Sequence, residues 1–299
     1  MNVAALMELS QDQHRRATGY QTLVRNYYEH VTDFYRWGWG DHFHFAPFLG
    51  SEPVSRALEA QQDLLVREAG IGPGLRALDV GCGVGGPACH IARTTGARVT
   101  GITISPTQVR IARRLFRRAG LERRCEVVLG DAMQMSFDSQ SFDVVYAIES
   151  ACHMPNKEHF FAECARVLAD GGTLAGWDWV RCSGSDAERF TDPICRYFVL
   201  PSLCTLEQIG EHLRHAGLEV LTLEDLAHRS NVARPWWQPL ERRLASRLSW
   251  LAVQFSPTLR MMRSSGERLV AAGKAGAFSP LGFFVARKPA AADRRCPSR

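Results

Sequence analysis

Lysine is almost missing from this chain: of its 36 basic residues only Lys157, Lys274 and Lys288 are lysines, and the other 33 are arginines. GC-rich coding produces that bias, and it carries no chemical message. Long apolar runs are missing too. No stretch reaches the eighteen or so residues that a membrane-crossing helix needs. Glu8, Asp12, His14 and Arg15 crowd the place where a secretion signal would be apolar, so the expected compartment is the cytoplasm. There is no CxxC pair. The nine cysteines, 82, 89, 125, 152, 164, 182, 195, 204 and 296, are odd in number and lack ligand spacing. They read as reduced thiols rather than a disulfide framework or a zinc site. His42 and His44 form an HxH pair without a third ligand, so no metal is expected. A net charge of +5 is too modest to imply a polyanionic partner.

What is present is alternation. Up to about Ala69 the pattern is helical, interrupted by an aromatic stretch from Phe34 to Phe48. From Leu75 onward, short apolar strands alternate with helical segments, which predicts βαβ units and a parallel sheet. Strands are expected at 76–80, 98–103, 126–129, 142–148 and from Thr173, with helices at 87–94, 106–119 and 157–168. Ser105 is a natural N-cap, and Gln108 stands where it would close a capping box. Asp170-Gly171-Gly172 is read as a turn, and the segment past Arg181 as helical with a last strand at 282–286. This gives four regions: an N-terminal helical, aromatic lid (1–70), a nucleotide-type core (71–181), a helical substrate cap completing the sheet (182–289) and a polar tail (290–299).

The chemistry concentrates after the first strand. Asp79 precedes Gly81-Cys82-Gly83-Val84-Gly85-Gly86, and these glycines allow a tight turn and close approach of a ligand to the following helix. A glycine-rich βα turn alone also marks nicotinamide dinucleotides. Here the spacing is GxGxG, and Asp79 lies beneath it. S-adenosylmethionine has no phosphate and carries a sulfonium, so a carboxylate placed to meet its amino acid part suits it better than it suits a pyrophosphate. Strand two lacks the terminal Asp or Glu that ordinarily holds ribose hydroxyls. Thr103 stands there, and Gln108 is the expected substitute. Asp131, with Ala132 and Met133, offers an acceptor for an adenine amino group, and Ala147 lies near the end of the fourth strand.

The flanks resemble sterol 24-C-methyltransferases and related isoprenoid C-methyltransferases, including those of terpenoid-indole alkaloids. The likeness is carried by Tyr27-Tyr28-Glu29-His30-Val31-Thr32-Asp33-Phe34-Tyr35, by Trp37-Gly38-Trp39-Gly40 and Phe43-His44-Phe45, and by Asp79 to Pro87. Tyr146 to His153, Pro235-Trp236-Trp237 and Phe284 to Pro289 extend it. The resemblance implies a Rossmann-like class I methyltransferase fold: a mostly parallel seven-stranded sheet with helices on both faces, plus a helical N-terminus and insert cap. It further implies an alkene nucleophile of a hydrophobic isoprenoid substrate, either a sterol side chain or a prenyl or geranyl chain on another scaffold. S-adenosylhomocysteine is the expected product.

An alkene needs no base for its attack, only positioning and stabilisation of the resulting cation. Aromatic faces supply this at roughly 0.5–2 kcal/mol each. Tyr35, Trp37, Trp39, Phe43 and Phe45 are the expected substrate contacts, with Tyr27 and Tyr28 beside the reacting atoms. Glu149, at the carboxyl end of the fourth strand, is the expected base for the cation's proton, and His153 is a second candidate. The competing readings are an O- or N-methyltransferase of a hydrophobic natural product and a cofactor-binding protein without turnover. A nucleic-acid enzyme is not expected, since Ile148-Glu149-Ser150 lacks the Asn/Asp-Pro-Pro-aromatic motif. Arginines 242, 243 and 247 interleave with Leu244, Leu248, Trp250 and Leu251, a stripe compatible with weak membrane-surface contact or with packing. Homo-oligomerisation is left open.

Overall fold

The computed structural model describes residues 1–184, 186–246, 254 and 256–290. Three helices open the chain: α1 (Val3–Leu9), α2 (Gln13–Thr18) and α3 (Tyr20–Trp39), followed by α4 (Val54–Ala69). Then β1 (Arg76–Val80), α5 (Gly86–Thr95), β2 (Arg98–Thr103), α6 (Pro106–Arg118), β3 (Cys125–Leu129) and β4 (Phe142–Ile148) alternate. After β4 come a short 3₁₀ turn (Ala151–His153), α7 (Lys157–Val167) and β5 (Leu168–Arg181). The rest is α8 (Ala187–Tyr197), α9 (Leu206–His215), β6 (Glu219–Asp225), α10 (Gln238–Leu244), α11 (Pro257–Lys274) and β7 (Phe278–Arg287).

The seven strands form one sheet in the order β3-β2-β1-β4-β5-β7-β6. β1 to β5 run parallel, and β7 inserts antiparallel between β5 and β6. Chain order reverses between β1 and β4, so a crevice opens at their carboxyl ends, where open α/β sheets hold ligands. Because helices cover both faces, the central strands are apolar without alternation. Leu78 and Val80 join Phe160, Phe161 and Phe284 on one face, while Ala77, Phe116, Trp177 and Phe283 join the other.

Local chemistry sets the element ends. Ser105 caps α6 by accepting the Gln108 N–H, but the capping box stays half made. The Gln108 side chain instead accepts from the Thr103 hydroxyl at 2.6 Å, and the Ser105 N–H that a capping box would use donates to that same Thr103 oxygen at 3.3 Å. Asp170-Gly171-Gly172 belongs to β5 as a bulge rather than to a separate turn: Phe142 pairs with Leu168, and the next partner, Val144, pairs with Thr173. Past Arg181 the helices α8, α9, α10 and α11 alternate with β6 and with β7, which runs longer than the expected 282–286, and these two strands complete the sheet. Among the described residues no helix is long and apolar enough to cross a membrane.

Candidate active site

β1 delivers the glycine loop to the crevice. Gly81 and Gly83 both have left-handed backbones, and a Cβ on Gly81 would collide with Ser150. The loop edges a cavity with about 700 Å³ of unfilled space counting its mouth, lined by Gly81, Gly83, Ile102, Thr103, Gln108, Gly130, Asp131, Ala132, Ile148 and Ser150. A smaller hollow beside it holds Asp79, Cys82, Asp41 and Phe43 and shares Gly81, Gly83 and Ile148 with the first. Asp79 is buried there, and its Oδ2 has no hydrogen-bond partner. Desolvation pushes this carboxyl up to about 7, opposed by the neighbouring Tyr146 hydroxyl. An orphaned carboxylate oxygen below a glycine cradle suits an ammonium group. The Thr103–Gln108 pair along the wall suits hydroxyls. The donor set therefore fits S-adenosylmethionine.

The N-terminal helices roof this cavity. Tyr20 and Gln21 of α3 both donate to Asp131 Oδ2, while Oδ1 accepts the Met133 N–H at 2.9 Å. Glu29, two turns further on, accepts from the Ser105 hydroxyl at 2.9 Å and the Thr107 hydroxyl at 2.5 Å, at the positive N-terminus of α6. Beyond α3 the chain drops onto the glycine loop, where any Cβ on Gly86 would strike the Asp41 carbonyl.

A second cavity, with about 750 Å³ of unfilled space counting its mouth, adjoins the first under the same helix α3. Tyr27, Tyr35, Trp39, Phe45, Trp179 and Phe198 line it with Leu240, Met262 and Leu269. Tyr28, Phe43, Glu149 and His153 line both cavities and form their common wall. Glu149 leaves β4 with a left-handed φ of 49°, a strained conformation for a non-glycine residue. Its Oε1 accepts the Phe45 N–H at 2.6 Å and its Oε2 the Trp179 indole N–H at 2.7 Å. Burial pushes the carboxyl well above its ordinary range, and the two N–H donors pull the other way. His153 shares a 2.9 Å hydrogen bond with the Tyr28 hydroxyl through Nε2, while its buried Nδ1 has no partner. Burial lowers it to about 3, so the ring is neutral at pH 7.

Two buried charges hold the turn that carries His153. Asp178 accepts the Cys152 N–H at 3.1 Å and the Trp179 N–H at 2.6 Å. Lys157 donates to the Cys152 and Met154 carbonyls at 3.0 and 2.5 Å. Both are groups whose removal would orphan buried partners.

The structure separates the expected site residues. Tyr27, Tyr28, Tyr35, Trp39, Phe43, Phe45, Glu149 and His153 come together, as do Gly81, Gly83, Thr103, Gln108, Asp131 and Ala132. Trp37 does not join them and is 86% exposed. The inward stripe of α3 runs through Tyr27, Val31 and Tyr35, and a position two residues past Tyr35 faces the opposite side. Gly85 meets Phe116 and Ala112 rather than a cavity, making room for α5 against α6. Ala147 is sealed inside β4, and Met133 packs against the apolar layer below it. His42 and His44 are bridged by the Gln62 amide at 2.8 and 2.7 Å. Of the arginine-leucine stripe, Arg243 lies over the Trp39 ring at 5.1 Å and Leu244 packs on α11, while 247–251 lie outside the described residues. The reading of the sequence missed Tyr20, Glu29, Trp179, Phe198, Lys157 and Asp178. Only Trp177-Asp178-Trp179 carried a signal, as an acid within an apolar strand end.

Known proteins bear on this arrangement. Residues 78–176 match a family described as "Methyltransferase domain", and residues 255–290 match "Sterol methyltransferase C-terminal". The chain is similar to the 24-methylenesterol C-methyltransferase 2 of Arabidopsis thaliana, at 37% identity over 89% of this chain and 78% of that one. Among solved structures it resembles the [4+2]-cyclase SpnF, with a TM-score of 0.73 and 27% identity over 90% and 96% of the two chains. The geranyl diphosphate C-methyltransferase of Streptomyces coelicolor A3(2) superposes with a TM-score of 0.69, covering 90% and 97% of the two chains. Its 18% identity attests the fold alone. The chain thus belongs to the sterol C-methyltransferase family of S-adenosylmethionine-dependent methyltransferases.

Proposed function

We propose that this protein methylates an alkene carbon of an isoprenoid chain, on a sterol side chain or a prenyl- or geranyl-bearing secondary metabolite. The observation that carries the reading is the common wall: Tyr28, Phe43, Glu149 and His153 separate a polar cavity suited to the methyl donor from an aromatic cavity suited to an apolar acceptor. S-adenosylmethionine supplies an electrophilic methyl group and leaves as S-adenosylhomocysteine. Everything else falls to the chain's own residues. Asp79 and the Gly81–Gly83 cradle hold the amino acid end, Thr103 and Gln108 meet the ribose, and Asp131 stands at the adenine end.

On the acceptor side, Tyr27, Tyr35, Trp39, Phe45, Trp179 and Phe198 exclude water and turn ring faces and edges toward the alkene. Alkene attack moves a positive charge from the donor side of the wall to the acceptor side. Glu149 touches both sides, so its carboxylate attracts the charge before and after transfer. Burial favours the protonated form, while the Phe45 and Trp179 N–H groups and a cation in either cavity favour the ionised one. With positive charge beside it, the carboxylate can take a proton from a carbon next to the cationic centre. His153, neutral and with a free Nδ1, is the second acceptor within the wall.

Labelled S-adenosylmethionine offered with sterols, prenyl diphosphates, prenylated indoles, phenols and amines tests the reading. Label is expected on a carbon of an isoprenoid chain. Transfer only to oxygen or nitrogen acceptors would refute it.

A further inference from the structure

Away from both cavities, α7 and α9 bring three metal-ligating side chains together. His212 and His215 sit one turn apart on α9, and Glu158 stands in the first turn of α7. One donor atom from each lies within 4.8 Å of the other two. Yet they do not satisfy one another: among the described residues Glu158 has no ion pair and the His215 ring no hydrogen bond. His212 Nδ1 is buried without a partner. With His212 ligating through Nε2, the Cys204 thiol, 4.0 Å from that nitrogen, stands as a fourth and softer donor. From these positions we infer a binding site for a divalent transition-metal ion, of the zinc class, clipping α7 to α9.

Two imidazoles and a carboxylate suit zinc-like ions far better than magnesium or calcium, which prefer all-oxygen shells. Zinc–ligand bonds of about 2.0–2.1 Å in a tetrahedron place donors roughly 3.4 Å apart. The three groups therefore need to close by no more than about 1.4 Å. Glu158 and His215 are exposed and can swing that far, while the half-buried His212 is the fixed member. Water or the Cys204 sulfur would complete the shell. The ion would stand outside the reaction. Its effect would be structural, because Lys157, the residue before Glu158, holds the Cys152 and Met154 carbonyls of the turn that carries His153.

The test uses the full chain, stripped with chelator and titrated with Zn²⁺ and with Co²⁺. One equivalent should bind, Co²⁺ should give the visible absorption of a four- or five-coordinate site, and Zn²⁺ at a hundredfold excess over its Kd should raise the unfolding midpoint by about 5 °C. Glu158→Gln and His215→Ala, both surface changes, should each weaken binding at least tenfold while unfolding unchanged without metal. Cys204→Ser separates a thiolate ligand, seen as lost sulfur-to-cobalt charge transfer, from water. Equal affinity in the wild type and the Glu158→Gln/His215→Ala double variant would overturn the site and assign the metal to the scattered thiols. So would failure to bind one equivalent.

Discussion

Asp79 shows how a residue can be held against the interest of the fold. Its carboxyl is buried without a full set of partners, and its pKa rises from the ordinary carboxylate range to about 7 in the native state. The folded form therefore binds the proton more tightly than the unfolded chain does. The sign follows: this group favours folding below about pH 4, loses that contribution as pH rises to about 7, and is a net penalty above it. Asp79→Asn should raise the stability of the cofactor-free protein at pH 8, by on the order of 2 kcal/mol, with little change near pH 4. The same substitution should weaken S-adenosylhomocysteine binding at least tenfold, since the amide cannot pair with an ammonium group. In the wild type, cofactor affinity should fall as pH drops below 7, approaching tenfold per unit, and level off above 8. Calorimetric titration across pH 5.5–8.5 checks this, and a flat profile would count against the assignment. Glu149 faces the converse test. Glu149→Gln removes the base and sets an amide N–H₂ against one of two N–H donors. Methyl transfer in a single turnover should drop by roughly 10²–10⁴-fold. S-adenosylhomocysteine affinity should stay within about threefold. Asp79 and Glu149 were both legible in the sequence, because each is an acid at the carboxyl end of an apolar strand. Asp178 obeys the same rule and escaped notice only because two tryptophans flank it.

Helix α3 faces both cavities at once. One face supplies Tyr27, Tyr28, Tyr35 and Trp39 to the aromatic cavity, while Tyr20, Gln21 and Glu29 reach the nucleotide-type core. The first set was legible as an aromatic cluster. Its helical phase, which sends Trp37 to solvent, was equally available from the spacing and shows why composition without periodicity misassigns a residue. The second set was not legible. A Tyr, a Gln and a Glu on a helix read as solvated surface, and their partners lie 76 to 111 residues away in the chain. The strands β1, β2 and β4 were readable to the residue because both faces are buried and their pattern is continuous. β6 was not, being an edge strand with no fully buried side chain. If α3 is the roof of the cofactor cavity, weakening its anchors should release cofactor without disturbing the sheet. Glu29→Gln, which forfeits charge-assisted bonds at a helix N-terminus, should speed S-adenosylhomocysteine dissociation about five- to tenfold. Gly86→Ala should be more damaging, since its methyl group meets the backbone of Asp41. Stopped-flow release rates compare the two, and unchanged rates in both would remove α3 from the gate.

For the whole molecule, the consequence is that the two cavities are not independent. They share four lining residues, and one helix closes over both. The sheet beneath is held by paired strands and by apolar layers on each face, whereas the roof is tied to it by side-chain hydrogen bonds of Tyr20, Gln21 and Glu29. The roof is therefore the part whose ordering a bound ligand would change. A ligand in either cavity orders the same roof, so the second ligand need not bear that ordering cost again. Positive coupling between donor and acceptor sites is the expected result. Linkage requires it to be reciprocal: S-adenosylhomocysteine must strengthen an isoprenoid ligand by the same factor by which that ligand strengthens S-adenosylhomocysteine. Couplings of this kind run from about fivefold to about 150-fold. A four-corner calorimetric cycle measures both legs. Amide hydrogen exchange should show protection of 20–45 on adding S-adenosylhomocysteine alone, before any acceptor is present. A coupling factor near one, with exchange in that segment unchanged, would mean that the wall separates two sites which merely adjoin. The Tyr20, Gln21 and Glu29 contacts would then be static packing rather than a closing lid.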